Sequence, residues 1–569
     1  MSGKRVATSF LAAAMAVGTL SSAAFAENGT VDPADLNWEK PEETINISVY
    51  AGEGDQEEFL ADENGGKAVM DEWLLENLNV TFDWQYMTGD MTERLNLMLA
   101  DNSYPSVITN MPDDMAEKFI AQGKAVDLTE YLDDMPNLTR RMGDYINMLK
   151  DDEGHIYKLS TLWGENPNVA GLDFGVRWDY YLELGEEKMY ETPQEYIEVM
   201  KKILANHPTN DAGQTTYAFT SDNQGKSFLN AMLGAYGFVN GYKLNEETGE
   251  FTHWLNTDEG LEIAKLVNQM YREGLIDPDY QSVDYETYIS KLANGQVLGN
   301  FGTWWYAWVG GHQTWAVQEG DDYDKNKRFA NVSVHGEGMS MEDTSLLTSN
   351  YVGSYRMIIT DKATEEEIQG IVKYLNWEAS ELGTFIMGFG APREENVWKI
   401  DDDGTWLFDD EIMNVDTKDT TYHSVKNHYA CEYWVAICGQ WLKSDGRSGF
   451  DKIDPRVDRV SIYDYWPVNE DGSFADEGIN ICWGNYTAPA KDTTMYQTTF
   501  NSRDMIATIK QMVDDTITSS WAEIINSASE EDCIAAFEAA RDNCNAMGLE
   551  ELTDYYENSY KANVEKYEG

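Results

Sequence analysis

Basic side chains are scarce. The 569-residue chain carries 41 Lys and Arg against 101 Asp and Glu, a formal net charge of −60. A phosphate backbone is gripped through Lys and Arg, so a nucleic-acid partner is excluded, and anionic membrane surfaces are disfavoured for the same reason. Neutral and cationic ligands stay open. Cysteine is almost as sparse: Cys431, Cys438, Cys482, Cys533 and Cys544 show no CxxC pair and no Cys/His zinc spacing. Their odd number leaves at least one thiol free if disulfides form. The seven histidines are scattered, and the nearest pair, His423 and His428, stands five apart, poor spacing for a shared metal. Neither a Gly-x-Ser-x-Gly elbow nor a His-Glu-x-x-His helix occurs. No metal and no cofactor is expected.

Three motif fragments fail on inspection. Gly52-Glu53-Gly54 lies between a strand and a helix, but Glu57 replaces the third glycine of a dinucleotide fingerprint, and Glu53 and Asp55 would repel a pyrophosphate. Gly225-Lys226-Ser227 resembles the end of a P-loop, yet Thr220 stands where its first glycine belongs, and the flanks do not read as strand then helix. Asp401-Asp402-Asp403-Gly404 lacks the remaining ligands of a calcium loop and reads as a hairpin turn. Paired carboxylates of a glycosidase carry no signal here, because 101 acids make a pair anywhere.

Aromatic residues are plentiful: 18 Trp, 33 Tyr and 19 Phe. They need a packed interior, which argues against disorder, and the length suggests two or more domains. Lys4 and Arg5, the apolar run Val6–Leu20 and Ala24-Phe25-Ala26 read as a signal peptide, 1–26, cleaved after Ala26. Residues 27–41 are a polar lead-in, and no later run reaches the ~18 apolar residues of a spanning helix. An exported, extracytoplasmic protein is expected.

Ile45, Ile47 and Val49 alternate as a strand, a helix is expected over about 56–77, and Val80, Phe82 and Trp84 alternate again. Leu95, Met98 and Leu99 mark a helix, and Val107-Ile108 a third strand, the opening of an α/β open sheet. Hairpins are expected at 242–254 and 397–408, and helices fill about 502–567. Gly302-Thr303-Trp304-Trp305-Tyr306-Ala307-Trp308 places four large aromatics in five residues, more than one helix face buries. Core packing is the competing reading, but some of these rings should line a groove, where flat aromatic faces suit sugar rings.

Several stretches, in order, resemble extracellular solute-binding protein family 1, the carbohydrate-binding components of ABC importers, in particular its large LplA-like branch. Gly123-Lys124-Ala125-Val126-Asp127-Leu128-Thr129 resembles its G-x-[LV]-x-D-L-T, and Val176-Arg177-Trp178-Asp179 its R-x-D segment. Tyr271-Arg272-Glu273-Gly274-Leu275-Ile276-Asp277-Pro278 is close to Y-x-E-G-L-I-D-P, and Met547-Gly548-Leu549-Glu550-Glu551-Leu552 to the family's C-terminal segment. The likeness runs over 42–567 and is weakest at 393–500. It implies a two-lobed periplasmic-binding-protein-like α/β fold with discontinuous lobes joined by hinge strands: lobe 1 at 42–152 and 350–400, lobe 2 at 153–349 and 401–569. A carbohydrate, an oligosaccharide by the aromatic count, would bind between the lobes of a monomer and pass to a membrane permease without any bond being broken.

Two departures matter. The first cysteine is Cys431, so there is no lipobox cysteine at the cleavage site, and His207 and Thr215 stand where relatives' calcium loop has acids, so that site is expected to be absent or weak. The ligand-binding candidates are Trp304, Trp305, Trp308 and Trp163 for stacking, and Glu53, Asp55, Asn110 and Asp113 at strand C-terminal ends for hydroxyls. Arg177 and Asp179 match the R-x-D motif, with an ion pair at a helix start as the alternative. A secreted glycoside hydrolase and a structural or adhesive surface protein are the rival functions.

Overall fold

The computed structural model describes residues 38–568 apart from 52–65, 88, 152, 162–168, 187, 320–323, 325, 331, 354, 381, 384–385, 387–397, 401–405, 409–490 and 501–503. The signal-peptide reading therefore lies outside the described residues.

The chain opens as β1 (Ile45–Ala51), α1 (Gly66–Leu78), β2 (Val80–Tyr86), α2 (Met91–Asp101), β3 (Val107–Pro112) and α3 (Asp113–Ala121). Alternation makes the strands: Ile47 and Val49 of β1 are buried, and β1 pairs in parallel with both β2 and β3. The α2 helix is bounded by its own side chains. Asp90 accepts a hydrogen bond from the Glu93 backbone at its start, and Asn102 in a left-handed conformation ends it, with Leu95, Met98 and Leu99 facing inward as their spacing predicts. A short helix, α4 (Pro136–Met142), and two 3-10 segments lead to β4 (Leu159–Thr161).

There the chain leaves the first sheet. β5 (Val169–Arg177) begins a second, followed by α5 (Trp178–Leu184), α6 (Pro193–Asn206), α7 (Lys226–Ala235), the hairpin β6 (Tyr242–Asn245) and β7 (Glu250–His253), α8 (Asp258–Arg272) and α9 (Tyr285–Ala293). Then come β8 (Gly299–Thr303), α10 (Trp304–Ala307), a π-turn at Trp308–Gln313, α11 (Thr314–Glu319), β9 (Phe329–Ala330) and β10 (Leu347–Ser349). The chain crosses back as β11 (Tyr355–Ile359) and α12 (Glu365–Glu378). A small hairpin, β12 (Trp398–Ile400) with β13 (Trp406–Phe408), precedes β14 (Lys491–Asp492) and three closing helices, α13 (Met505–Ile525), α14 (Glu530–Ala546) and α15 (Leu549–Glu568).

The first sheet has the order β2-β1-β3-β11-β4, and the second β14-β10-β5-β8 with β9 also on β5. Each has its own interior. Ile47, Val107, Leu159, Ile359 and Ile371 belong to one buried cluster. Phe174, Tyr196, Phe219, Phe301 and Trp521 belong to another. This is the α/β, two-lobed architecture of periplasmic binding proteins.

Candidate ligand-binding site

Strand register locates the ends that face one another. β8 runs antiparallel to β5, with Leu172 opposite Thr303 and Val176 opposite Gly299. β8 therefore runs back toward the end of β5 at which the chain arrives from the first sheet, and the aromatic run 304–308 begins there. In the first sheet Tyr355 is paired with both Pro112 and Thr161. The C-terminal ends of β3 and β4 thus share one border, the border from which the chain departs and to which it returns.

On the first-sheet side, Asn110 lies within β3 rather than after it. It is buried and adopts φ 51°, a left-handed conformation that a non-glycine residue rarely takes. Thr161, which sequence reasoning missed, is buried at the end of β4, and its hydroxyl has no hydrogen-bond partner among the described residues. Only the register, not local sequence, marks it.

Asp113 opens α3 and is already engaged. It accepts from Arg356 Nε at 2.5 Å and Lys158 Nζ at 2.7 Å. Burial alone would raise the Asp113 pKa, but Arg356 and Lys158 outweigh it and hold the carboxyl below its usual value. Arg356 also donates to the carbonyls of Val352, Gly353 and Tyr355. One guanidinium thus staples the returning crossover to the first helix turn beside β3, and Asp113 is its anchor.

On the second-sheet side, residues 217–219 run alongside β8, Tyr217 bridging Val297 and Phe219 bridging Ile276 in parallel. The Gly225-Lys226-Ser227 flanks are thus a segment held by isolated β-bridges to residues outside the named strands, and then α7, so the strand that a P-loop requires is not among the described elements. Buried Asp277 fixes it by accepting from Thr220 Oγ1 at 2.9 Å and Lys291 Nζ at 2.5 Å. The segment ends at Asp222, whose carboxylate accepts from the Tyr306 hydroxyl at 2.8 Å. Burial, and then Asp222, raises the Tyr306 pKa, so the phenol stays a donor.

Gln224 is exposed with φ 61°. Gly225, at φ 87°, gives its carbonyl to Trp521 Nε1 at 2.9 Å, and an added Cβ would stand 2.9 Å from Ile525 Cδ1. The loop 222–225 is therefore clamped onto α13 beside the aromatic run. Tyr306 belongs to the aromatic run expected to line a groove, whereas Asp222 and Gln224 were not anticipated; the glycine after Gln224 was the available signal.

Arg177 and Asp179 sit elsewhere. Arg177 is the last residue of β5, five residues beyond Leu172, or about 16 Å along the strand. Its guanidinium makes a two-pronged pair with Asp179, 2.9 and 2.5 Å, and lies over the rings of Tyr180 and Trp315. This is the helix-start ion pair. The backbone of Trp304, Trp305 and Trp308 lies at the end of β8, but their side chains, with Trp163, Glu53 and Asp55, fall outside the described residues. Among the described residues no group of three or more His, Cys, Asp or Glu side chains is placed to hold a metal, and no helix is long and apolar enough to cross a membrane.

No family model matches the chain. A fructooligosaccharide ABC transporter substrate-binding protein, FusA of Streptococcus pneumoniae serotype 4, is 24% identical over 246 residues, 41% of this chain and 45% of that protein. The match thus spans less than half of the curated relative. Solved structures extend the likeness over nearly the whole fold. FusA of S. pneumoniae in complex with kestose superimposes with a TM-score of 0.60 at 16% identity, covering 91% of this chain and 99% of that one. An ABC-transporter-associated solute-binding protein from Bifidobacterium longum infantis, described as HMO-binding, gives 0.61 at 16% identity, 91% and 99%. The alginate-binding protein AlgQ2, solved without calcium, gives 0.58 at 15% identity, 92% and 99%.

Proposed function

We propose that this chain is an extracytoplasmic substrate-binding protein that captures a carbohydrate, an oligosaccharide by its aromatic content, between two lobes and presents it to the permease of an ABC importer. The lobes are taken as 42–152 with 350–400, and 153–349 with 401–569. What supports the reading is strand register, which brings the ends of β3 and β4 to the border that the chain leaves and the end of β8 to the end of β5 at which it arrives. One border offers Asn110 and the unpartnered Thr161 hydroxyl; the other offers the aromatic run after β8 with Asp222, Gln224 and Tyr306. A sugar has apolar C–H faces for rings and hydroxyls for amides and carboxylates, so one border suits each. The curated relative and the sugar-binding neighbours, proteins of the same architecture, support it. The chain acts as a monomer, exported and without a lipobox cysteine, and performs no bond chemistry.

The test is a thermal-shift panel of mono- and oligosaccharides on the purified protein, the sugars re-analysed afterwards. A ligand at ~100 times its dissociation constant adds ~2.7 kcal/mol, and Trp304→Ala and Thr161→Val should each reduce that shift. A sugar recovered in fragments replaces this reading with a glycoside hydrolase. No shift with any sugar removes the carbohydrate from it.

A further inference from the structure

The second sheet carries an unequal load on its two sides. Two of the crossings lie among the described residues and join its middle strands to the first sheet, β5 from β4 and β10 into β11, while the chain returns to β14 through residues outside them. The aromatic run continues from β8, one edge. β14 is the opposite edge, three strand spacings or about 14 Å away. A rotation about the crossings that draws the first lobe toward the β8 edge draws it away from the β14 edge.

At the β14 edge Tyr145 is the centre of the contacts that tie the two lobes together among the described residues. Tyr145 belongs to the 3-10 segment Gly143–Leu149, which packs with the first core. Its ring stacks on Tyr351 of the returning crossover, centroids 4.7 Å apart and planes within 6°. It also meets Tyr567 of α15 at 4.9 Å. Its hydroxyl donates to Asp492 Oδ2 of β14 at 3.1 Å. Around it, Asn147 Nδ2 donates to the Tyr567 carbonyl at 3.4 Å, and Lys566 Nζ to the Lys150 carbonyl at 3.2 Å. α15 itself is held by the second lobe, with Tyr556 and Tyr560 against the cluster of Tyr242, Phe251 and Tyr496.

We propose that Tyr145 is an interlobe latch that holds the cleft open, so that closure on a ligand must first pull it from Asp492 and Tyr567. The inference rests on the two-lobed binding reading above and adds the regulation of that site. A latch on the open state lowers the fraction of closure-competent protein and weakens apparent affinity by the same factor.

The test compares full-chain wild type with Tyr145→Phe, which keeps the stack and loses the Asp492 bond, with Asp492→Asn, and with Tyr145→Ala. Solution X-ray scattering without ligand reads the lobe arrangement, and calorimetric titration with kestose and the sugar panel reads affinity. The expected result is a smaller radius of gyration in every folded variant. Binding should be roughly three- to tenfold tighter, the range a single lost contact of this class shifts a two-state equilibrium. If Tyr145→Ala does not fold, Tyr145→Phe and Asp492→Asn decide alone. Wild-type scattering in the folded variants, or an expanded particle with weaker binding, overturns the latch. Compaction of the variants with no sugar bound by any of them upholds the latch and overturns the carbohydrate reading.

Discussion

Beneath the first sheet the interior is largely aliphatic, with Val49, Val80, Val107, Leu159, Ile359 and Ile371 buried and Tyr374 and Trp377 at its margin with α12. Beneath the second, rings are more frequent, packed among aliphatics such as Ile203, Ile263 and Val267. Phe301 of β8 touches Phe174, Tyr196, Phe219 and Phe228, all with centroids 4.8–5.4 Å away and all edge-on. Branched aliphatics fill a pleated surface with little directional demand, whereas rings interlock in preferred edge-to-face geometry. Two residues after Phe301 the strand ends and the run 304–308 begins. This ring network is therefore the foundation of the proposed site.

The sharpest way to break that contrast is to cut a ring from one core and a methyl from the other. Phe301→Ala should cost about 3–5 kcal/mol and Ile359→Val about 0.5–1.5 kcal/mol in urea unfolding followed by circular dichroism. Equal costs would mean the ring network adds no more than bulk. Asp113→Asn comes between these, at about 2 kcal/mol at pH 7. Its depressed pKa sets the sign. The wild-type advantage is full above the ordinary carboxylate pKa of ~3.9 and is lost as pH falls through the lower folded value, so the two proteins should converge as the pH drops below the ordinary carboxylate range. A gap unchanged with pH would show that Asp113 braces by shape rather than charge.

The smallest effect belongs to the loop after α6. Asn210 accepts from the backbones of Ala212 and Gln214 and donates to Gln214 and the Asn294 carbonyl, closing the loop with an amide where a cation-binding loop uses carboxylates. Asn210→Ala should lower stability by about 1 kcal/mol, and neither calcium nor a chelator should move the melting temperature of wild type or variant. A calcium-dependent rise would restore a metal to this loop.

What could be read beforehand follows the same division. In the first sheet local pattern and tertiary role coincide, so alternation in Ile45–Val49 and the spacing of Leu95, Met98 and Leu99 gave the right elements. The hairpins at β6–β7 and β12–β13 were equally legible from their turn residues. β11 was itself legible as a strand in Met357-Ile358-Ile359, but not its place beside β3, because that pairing reaches across roughly 250 positions and leaves no local trace. The site was less legible. Asn110 and Asp113 were picked by the rule of strand ends, and the structure shows Asp113 engaged by Arg356 and Lys158 as a brace. Thr161 and Gln224 matter through what surrounds them, and Arg177-Asp179 is a motif whose partners are each other.

The nesting of one lobe within the other sets an order on manufacture. β11, the fourth strand of the first sheet, emerges only after the whole of β5–β10, and the second interior waits for α13–α15. Neither hydrophobic core can close while the chain is half made, so the nascent protein carries long apolar strands without partners, a state prone to wrong pairings. With 101 acidic side chains such a chain repels its own copies. The charge that says little about the ligand thus protects the protein during the interval its topology imposes.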